Sequence, residues 1–330
     1  MRHGFRALVA WPAIALLIVS FAVAPATAQD AYPSKTITMV VPFGAGGALD
    51  LVARVLADGL HTEFGQTVIV DNKPGASGLL AMRQAASAPP DGYTIILSSE
   101  SNHILLPLLD KGFPMDVNKS FVPISLSGTF QHTLIAKKDL PVANIQELIA
   151  YLKANPGKLS FGSSGVGTQA HIAGEFLSLV TQSHMTHVPY RSSPAALNDL
   201  LSGNLDINIQ SIPAVRSFIG SPRLKMLAVL APHRLPELPD VPTMAESGYP
   251  DFVLSSWEGI FAPAGLPESI RDKLSAAFVK IGKVPELQAR IRNAGTQPVG
   301  SDAATYAKFL EADSAKWKTF IDRTGIRLNP

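Results

Sequence analysis

Twice in this chain a short β-branched run ends in a knot of glycines and passes straight into a segment with helical spacing. The first instance is VVPFGAGGALD, residues 40–50, and the second is FGSSGVGTQAH, residues 161–171. Strand, glycine turn and helix in that order make half of a βαβ unit, and such units build parallel sheets covered by helices. The rest of the chain keeps the alternation. Residues 36–42 (TITMVVP), 67–71 (TVIVD) and 93–97 (YTIIL) read as strands. Val52, Val55, Leu56 and Leu60 recur at helical spacing, and Leu79–Ala86 reads as a second helix. A second series follows, with strands at 121–126, 133–136, 159–162, 186–189, 206–210 and 225–229. Its helices fall at 145–155, capped by Asn144, at 170–179 and at 195–201. After an extended run at 253–263 the end is helical, at 269–281 and Ala303–Thr324, with Phe309, Trp317 and Phe320 spaced to face a core.

The tail has no sheet of its own, so it is expected to pack back on the first series. The chain then crosses between lobes twice, near 127–130 and 255–257. The expected domains are lobe 1, residues 32–129 plus 256–330, and lobe 2, residues 130–255. Two α/β lobes joined by two extended crossings make a hinged clamshell, with a mainly parallel sheet and a cleft where strand ends meet.

Composition narrows the function. Of 330 residues 46% are hydrophobic and 16% charged, and the net charge is only +2. That is a globular balance, and without a run of like charge it gives no nucleic-acid surface. There is no cysteine, which excludes thiol catalysis, cysteine–zinc and iron–sulfur sites, and disulfides. Arg2 and Arg6 precede an apolar stretch at 7–24 that contains Pro12, and Ala26-Thr27-Ala28 has the small-residue pattern of a cleavage site. The expectation is a signal peptide over residues 1–28, a mature chain from Gln29, and a periplasmic location with no pool of ATP or NADH. A retained anchor is the competing reading, since the stretch is just long enough to span a bilayer.

The glycine segments have several candidate chemistries. A dinucleotide fingerprint fails at Leu49, where the third glycine belongs; a P-loop fails because no lysine follows the last glycine, and Thr168 stands in that place in the second segment. No serine sits in the Gly-x-Ser-x-Gly elbow. Two readings stay open: a cradle of amides at a helix N-terminus that holds an anion, with Asp50 fixing the turn, or tight turns in which glycine only supplies φ > 0. The pair His184 and His187 lacks the helix and the acid of a zinc site and reads as structural. His103 and His171 lie near the expected cleft loops. Arg191 reads either as a bidentate carboxylate contact or as a solvated rim arginine, and Ser192 or Ser193 caps the next helix.

Taken together, these segments resemble the Bug family of periplasmic solute receptors, the extracytoplasmic receptors of tripartite tricarboxylate transporters. The matching pieces stand in order over residues 32–326: YPSKTITMVVPFGAGGALD, VIVDNKPGASG, PPDGYTIIL, SFVPISL, PGKLSFGSSGVGTQAHIAGE, HVPYRSSPAALNDLLSGNLD, LPDVPTMAESGYP, SSWEGIFAPAGLP and AGTQPVGS. The resemblance implies the two-lobed type II periplasmic binding protein fold and capture of a small mono-, di- or tricarboxylate by lobe closure. It implies ligand contacts at Phe43, Ala45, Gly46, Gly47 and Asp50 in one lobe, and at Ser163, Ser164, Gly167, Thr168 and Gln169 in the other. Pro74, Gly75 and Ser99 line the first side, and Arg191 and Ser192 the far end. Where the family often has an acid after LDINI this chain has Gln210, which favours a carboxylate without an ammonium group. The resemblance further implies a monomer with no cofactor, no metal and no catalytic residues, which delivers its solute to the membrane subunits of a transporter. The alternatives are a secreted esterase-like hydrolase on the same scaffold, and a receptor that presents its ligand to a membrane sensor.

Overall fold

Branched and aliphatic side chains fill the strands that open each half of the chain, as a pleated surface buried on both faces requires. The computed structural model describes Met1, Gly4 and residues 32–327. The expected leader core and its cleavage site, residues 7–28, lie outside the described residues. The first half runs β1 (Ile37–Val41), α1 (Ala48–Phe64), β2 (Val68–Asn72), α2 (Leu79–Ala86) and β3 (Thr94–Ser99). β1 lies between β2 and β3, parallel to both. Ile37, Met39 and Val41 pack into one cluster with α1, and Val40 and Ile96 into another on the opposite face. That split is the period-two alternation of a strand covered on both sides.

The second half begins with β4 (Phe121–Lys137), followed by α3 (Ile145–Ala154), β5 (Ser160–Ser163), α4 (Gln169–Thr181), β6 (Thr186–Pro189), α5 (Ser193–Leu201), β7 (Ile207–Ser211) and β8 (Leu224–Val229). β9 (Ser255–Pro263), α6 (Glu268–Ile281), α7 (Pro285–Asn293), β10 (Gln297–Pro298) and α8 (Ala303–Thr324) complete the chain. The helices start where their caps say they start. Asn144 accepts from the Glu147 amide at 2.9 Å, Ser192 from the Ala195 amide at 3.4 Å and Asp302 from the Thr305 amide at 2.7 Å.

The strands run in the order β2-β1-β3-β9-β4-β7-β5-β6, with β8 and β10 also paired to β4. The sheet is mixed, which corrects the expectation of a mainly parallel one. Parallel pairing is confined to the flanks β2-β1-β3 and β7-β5-β6. The centre, where β9 lies between β3 and β4 and β4 meets β7, is antiparallel.

The strands expected at 121–126 and 133–136 are one strand of 17 residues. Its middle, SLSGTFQH, is where the first extended crossing is expected, and Gly128 within it makes no turn. There the glycine serves contact instead: a Cβ would lie 2.4 Å from Thr296 and 2.7 Å from the Gln297 carbonyl, so β10 reaches the sheet only over bare backbone. From Phe121 to Gln131 β4 pairs with β9, and from His132 onward with β7 and β8. β4 and β9 thus pass side by side between two α/β lobes, and the cleft lies where the lobes face each other.

The tail packs on the first series, as expected, but not on it alone. Tyr306 and Trp317 are buried, with Phe309 packed against them. Farther along α8, Phe320 meets Phe176 of α4 edge to face at 4.9 Å, and Arg323 pairs with Asp251 at 3.4 Å. The helix therefore braces both lobes from behind the cleft. The helix α7 was not foreseen, because its sequence is largely polar and it buries only Ile291.

Candidate functional site

The first glycine loop joins β1 to α1. Gly46 has φ +80°, a region open to glycine at little cost. Its amide donates to Asp50 Oδ2 at 2.9 Å, and Arg54 donates to both oxygens of the same carboxylate at 2.9 and 3.2 Å. Asn72 Nδ2 ties down the Phe43 carbonyl at 3.0 Å. Burial alone would raise the Asp50 carboxyl. The bonds from Arg54, the Gly46 amide and Asn72, with the Arg54 charge, outweigh it and hold the group below its usual range. Asp50 thus fixes the turn from beneath. The Gly46 amide, expected among those that face the cleft, is turned inward to it. Gly44, Gly47, Ala48 and Leu49 remain on the cavity side.

The second loop joins β5 to α4 and is held by different chemistry. Gly165 (φ +134°) and Gly167 (φ +79°) are both left-handed. Ser163 Oγ is bonded to the Gly165 amide at 3.1 Å and to its carbonyl at 2.9 Å, and lies 2.7 Å from His187 Nε2. The Gly167 amide donates to His171 Nδ1 at 3.1 Å. The Thr168 hydroxyl donates to the Gly165 carbonyl at 2.7 Å.

Both loops open on one cavity of about 70 Å³. A water needs about 10–15 Å³ of such space, so the cavity has room for several waters or a small solute. Of the residues expected at the site, Phe43, Gly47, Ser99, Ser164, Thr168, Gln169 and Gln210 line it. The two sides nearly touch. A Cβ on Gly44 would meet Ser192 Cβ at 3.1 Å, and one on Gly165 would meet Ser77 Oγ at 2.8 Å. Only glycine lets the two sides come this close. No lysine or arginine is among the lining residues, so what the cavity offers an anion is neutral polar groups: backbone amides, hydroxyls, the side-chain amides of Gln169 and Gln210 and the imidazole of His132. The first turns of α1 and α4, whose amides lack intrahelical partners, end there.

The structure does not bring the other expected residues to the cavity wall. Ala45, Gly46, Pro74 and Arg191 are exposed. Asp50, Ser163 and Gly167 support the loops from behind. Gly75 opens the turn that carries Ser77 to Gly165, and Ser192 caps α5. His103 is a core residue. It stacks on Phe261 at 3.6 Å, its Nδ1 lies 3.1 Å from Ser98 Oγ, and burial pushes its pKa down to about 3.

Sequence reasoning missed Glu100, Ser101, Phe130, His132 and Ser256, all on the cavity wall. Glu100 is fully buried. Ser256 Oγ lies 2.8 Å from its Oε1, and the Trp257 amide donates to its Oε2 at 3.0 Å. Burial pushes Glu100 up to about 7, against the opposing bonds from Trp257 and Ser256. Ser256 Oγ also contacts Gln169 Oε1, while Gln169 Nε2 donates to the Ser255 carbonyl at 3.0 Å. One hydroxyl proton cannot serve two acceptors. A protonated Glu100 donating to Ser256 completes the chain Glu100–Ser256–Gln169, which runs from lobe 1 through the crossing strand to lobe 2. A signal for this group was present. The polar run SSESN directly follows the third strand, and solutes bind at the carboxyl ends of strands in α/β sheets.

Two α/β lobes joined by paired crossing strands, with a small cavity where the two glycine loops meet, define the class of periplasmic binding proteins. The structure of the periplasmic binding protein BugD matches with a TM-score of 0.84 and 34% identity, over 90% of this chain and 99% of that one. The R. palustris protein Rpa4515, solved with adipate, matches with a TM-score of 0.85 and 31% identity, over 90% and 99%. Protein BugT of Bordetella pertussis is 34% identical over 316 residues, 96% of this chain and 97% of its own. The tripartite tricarboxylate transporter family receptor model matches residues 52–326, and the chain belongs to that family of solute-binding receptors. Among the described residues no helix is long and apolar enough to cross a membrane, and no three His, Asp or Glu side chains gather as a metal site.

Proposed function

We propose that this receptor captures a small carboxylate in the extracytoplasmic space and delivers it to the membrane subunits of a tripartite tricarboxylate-type transporter. The observation that carries this reading is the convergence of two glycine loops, each opening a helix, on one cavity without a cationic side chain. Amides and hydroxyls suffice for a carboxylate, which has fewer oxygens and less charge than a phosphate. The lobes are residues 32–129 with 256–330, and 130–255, and they close about the paired strands β4 and β9. A helix-end field is worth about 0.3–2 kcal/mol per terminus, and micromolar affinity needs about 8 kcal/mol. Charge-assisted hydrogen bonds in a dry, closed cleft supply most of the difference. The adipate in Rpa4515 supports this ligand class. A thermal-shift screen over mono-, di- and tricarboxylates, with amino acids and chromogenic esters alongside, tests the reading. A rise in Tm with at least one carboxylate and no ester turnover is expected. Ester hydrolysis that stops with a serine-directed inhibitor would replace the receptor by a hydrolase.

A further inference from the structure

The histidines behind the second loop form a unit of their own. His171 and His187 stack with ring centroids 4.1 Å apart and planes at 27°. His187 stacks in turn on Phe161 at 4.8 Å. Each ring ends on one of the loop's two left-handed glycines. His171 Nδ1 accepts directly from the Gly167 amide, and His187 Nε2 reaches Gly165 through Ser163 Oγ. A ring nitrogen that accepts from an amide carries no proton, so His171 is neutral, with its hydrogen on Nε2. That nitrogen lies 3.6 Å from Glu175 Oε1. None of His171, His187 and Glu175 lines the cavity, whereas Ser164, Thr168 and Gln169 of the same loop do.

We propose that His171 and His187 are positioning residues: as a neutral stacked pair they hold the second glycine loop in its ligand-accepting shape, and proton uptake by the pair releases it. A proton on His171 Nδ1 turns the acceptor into a donor facing the Gly167 N–H, so that bond breaks. A second proton on His187 sets two cations face to face. Burial, with the neighbouring His171, pushes His187 down to about 4, partly opposed by Glu175. The titratable groups facing the pair are Glu175 on α4 and His184 ahead of β6. Glu175 is held below its usual range chiefly by His171 beside it, against the effect of burial. Capture is therefore expected to weaken as the pH falls from 7 toward 4.

The inference rests on the receptor reading for its effect on capture, but its first test needs no ligand. In the full-length mature chain, the Gly167 amide resonance should move as the pH is lowered from 7 toward 4 and its bond to His171 Nδ1 is lost. It should stop moving over that pH range in His171→Asn, whose Oδ1 replaces Nδ1 as an acceptor that takes no proton. Calorimetry with adipate, or with whichever carboxylate gives the largest thermal shift, supplies the second test. His171→Leu should lose at least tenfold in affinity at pH 7 while keeping native circular dichroism. His171→Asn should recover most of that loss, and His171→Asn with His187→Gln should flatten the pH profile between 7 and 4. A Gly167 amide that ignores His171, or a His171→Asn protein with the wild-type pH profile, would overturn the proposal. If no carboxylate binds while Gly167 still follows His171, the brace stands and the receptor reading falls.

Discussion

The two glycine loops do the same geometric job with opposite electrostatics. The first is fixed by a carboxylate kept charged: Asp50 takes the Gly46 amide and two bonds from Arg54, which together hold its carboxyl down. The second is fixed by neutral imidazoles: His171 Nδ1 loses its acceptor role when protonated, while His187 Nε2 donates to Ser163 Oγ, whose own proton goes to the Gly165 carbonyl. A salt-bridged acid is indifferent to pH above its depressed pKa, while a histidine brace is not. Two loops that look alike in sequence are thus expected to fail under different conditions, the second when its imidazoles take up protons and the first only when the Asp50 carboxyl is protonated. A one-sided failure is enough to open a two-sided grip.

That contrast can be broken from either side. The largest effect is expected from Gly46→Val, which forces a branched residue to φ +80° beside Pro194. The strain costs about 1–3 kcal/mol, small enough to leave the fold intact. Misplacing the Asp50-bound turn should cost about a hundredfold in affinity, near 3 kcal/mol, equally at pH 7 and 5. A Gly46→Val receptor with full affinity would remove the first loop from the site. A smaller effect should follow from Gly174→Ala on α4, whose new Cβ would lie 2.1 Å from Phe161. Overpacking of this kind costs about 1–3 kcal/mol and displaces the ring on which His187 stacks. Calorimetry should read a loss of about tenfold, or ~1.4 kcal/mol, that deepens on acidification, unlike that of Gly46→Val. Equal losses at both pH values would mean that the ring stack does not govern the second loop.

The smallest effect on affinity is expected at the strand between the loops. Glu258 of β9 is fully buried, and its two carboxyl oxygens have no partner among the described residues. Burial first, with the nearby Glu100 adding, pushes it up to about 8. Its folded-state pKa exceeds that of the unfolded chain, so the folded state holds the extra proton. The stability this contributes is complete below about pH 4.5 and is lost as the pH rises through about 8, with a limiting slope of about 1.4 kcal/mol per unit. Thermal melts from pH 5 to 8 should fall in wild type and fall less steeply in Glu258→Gln, where buried Glu100 still contributes, with ligand affinity at fixed pH little changed. Equal slopes in both proteins would mean that Glu258 ionises freely in the fold.

The sequence made the flanks of the molecule readable and left the centre obscure, for a physical reason. Flanking elements announce themselves locally. β-branched runs, helical spacing and capping residues such as Asn144, Ser192 and Asp302 each act within a few residues of themselves. The glycine loops were legible for the same reason, since a missing third glycine and a missing lysine are local facts. The centre depends on contacts distant in sequence. The role of Gly128 is invisible until Thr296 and Gln297 lie against it, and β4 reads as two strands until β9 and β7 pair along it. Ser163 and Gly167 illustrate the limit within the site. Their place in the loop was evident, but their bonds to His187 and His171, which turn them from the wall into its support, depend on how β5, β6 and α4 pack. Glu100 and Ser256 come together from positions far apart in the chain, and no spacing rule joins them.

If amides and hydroxyls of both loops grip a carboxylate across the cleft, removing the ligand's charge should remove most of its affinity. Calorimetry at pH 7 that pairs each carboxylate that shifts Tm with its methyl ester tests this most directly. The acid should bind with an affinity near micromolar. The ester, matched in shape but without the charge, should bind at least a hundredfold more weakly, ~3 kcal/mol. Equal binding of acid and ester, or no binding by any carboxylate, would contradict the account.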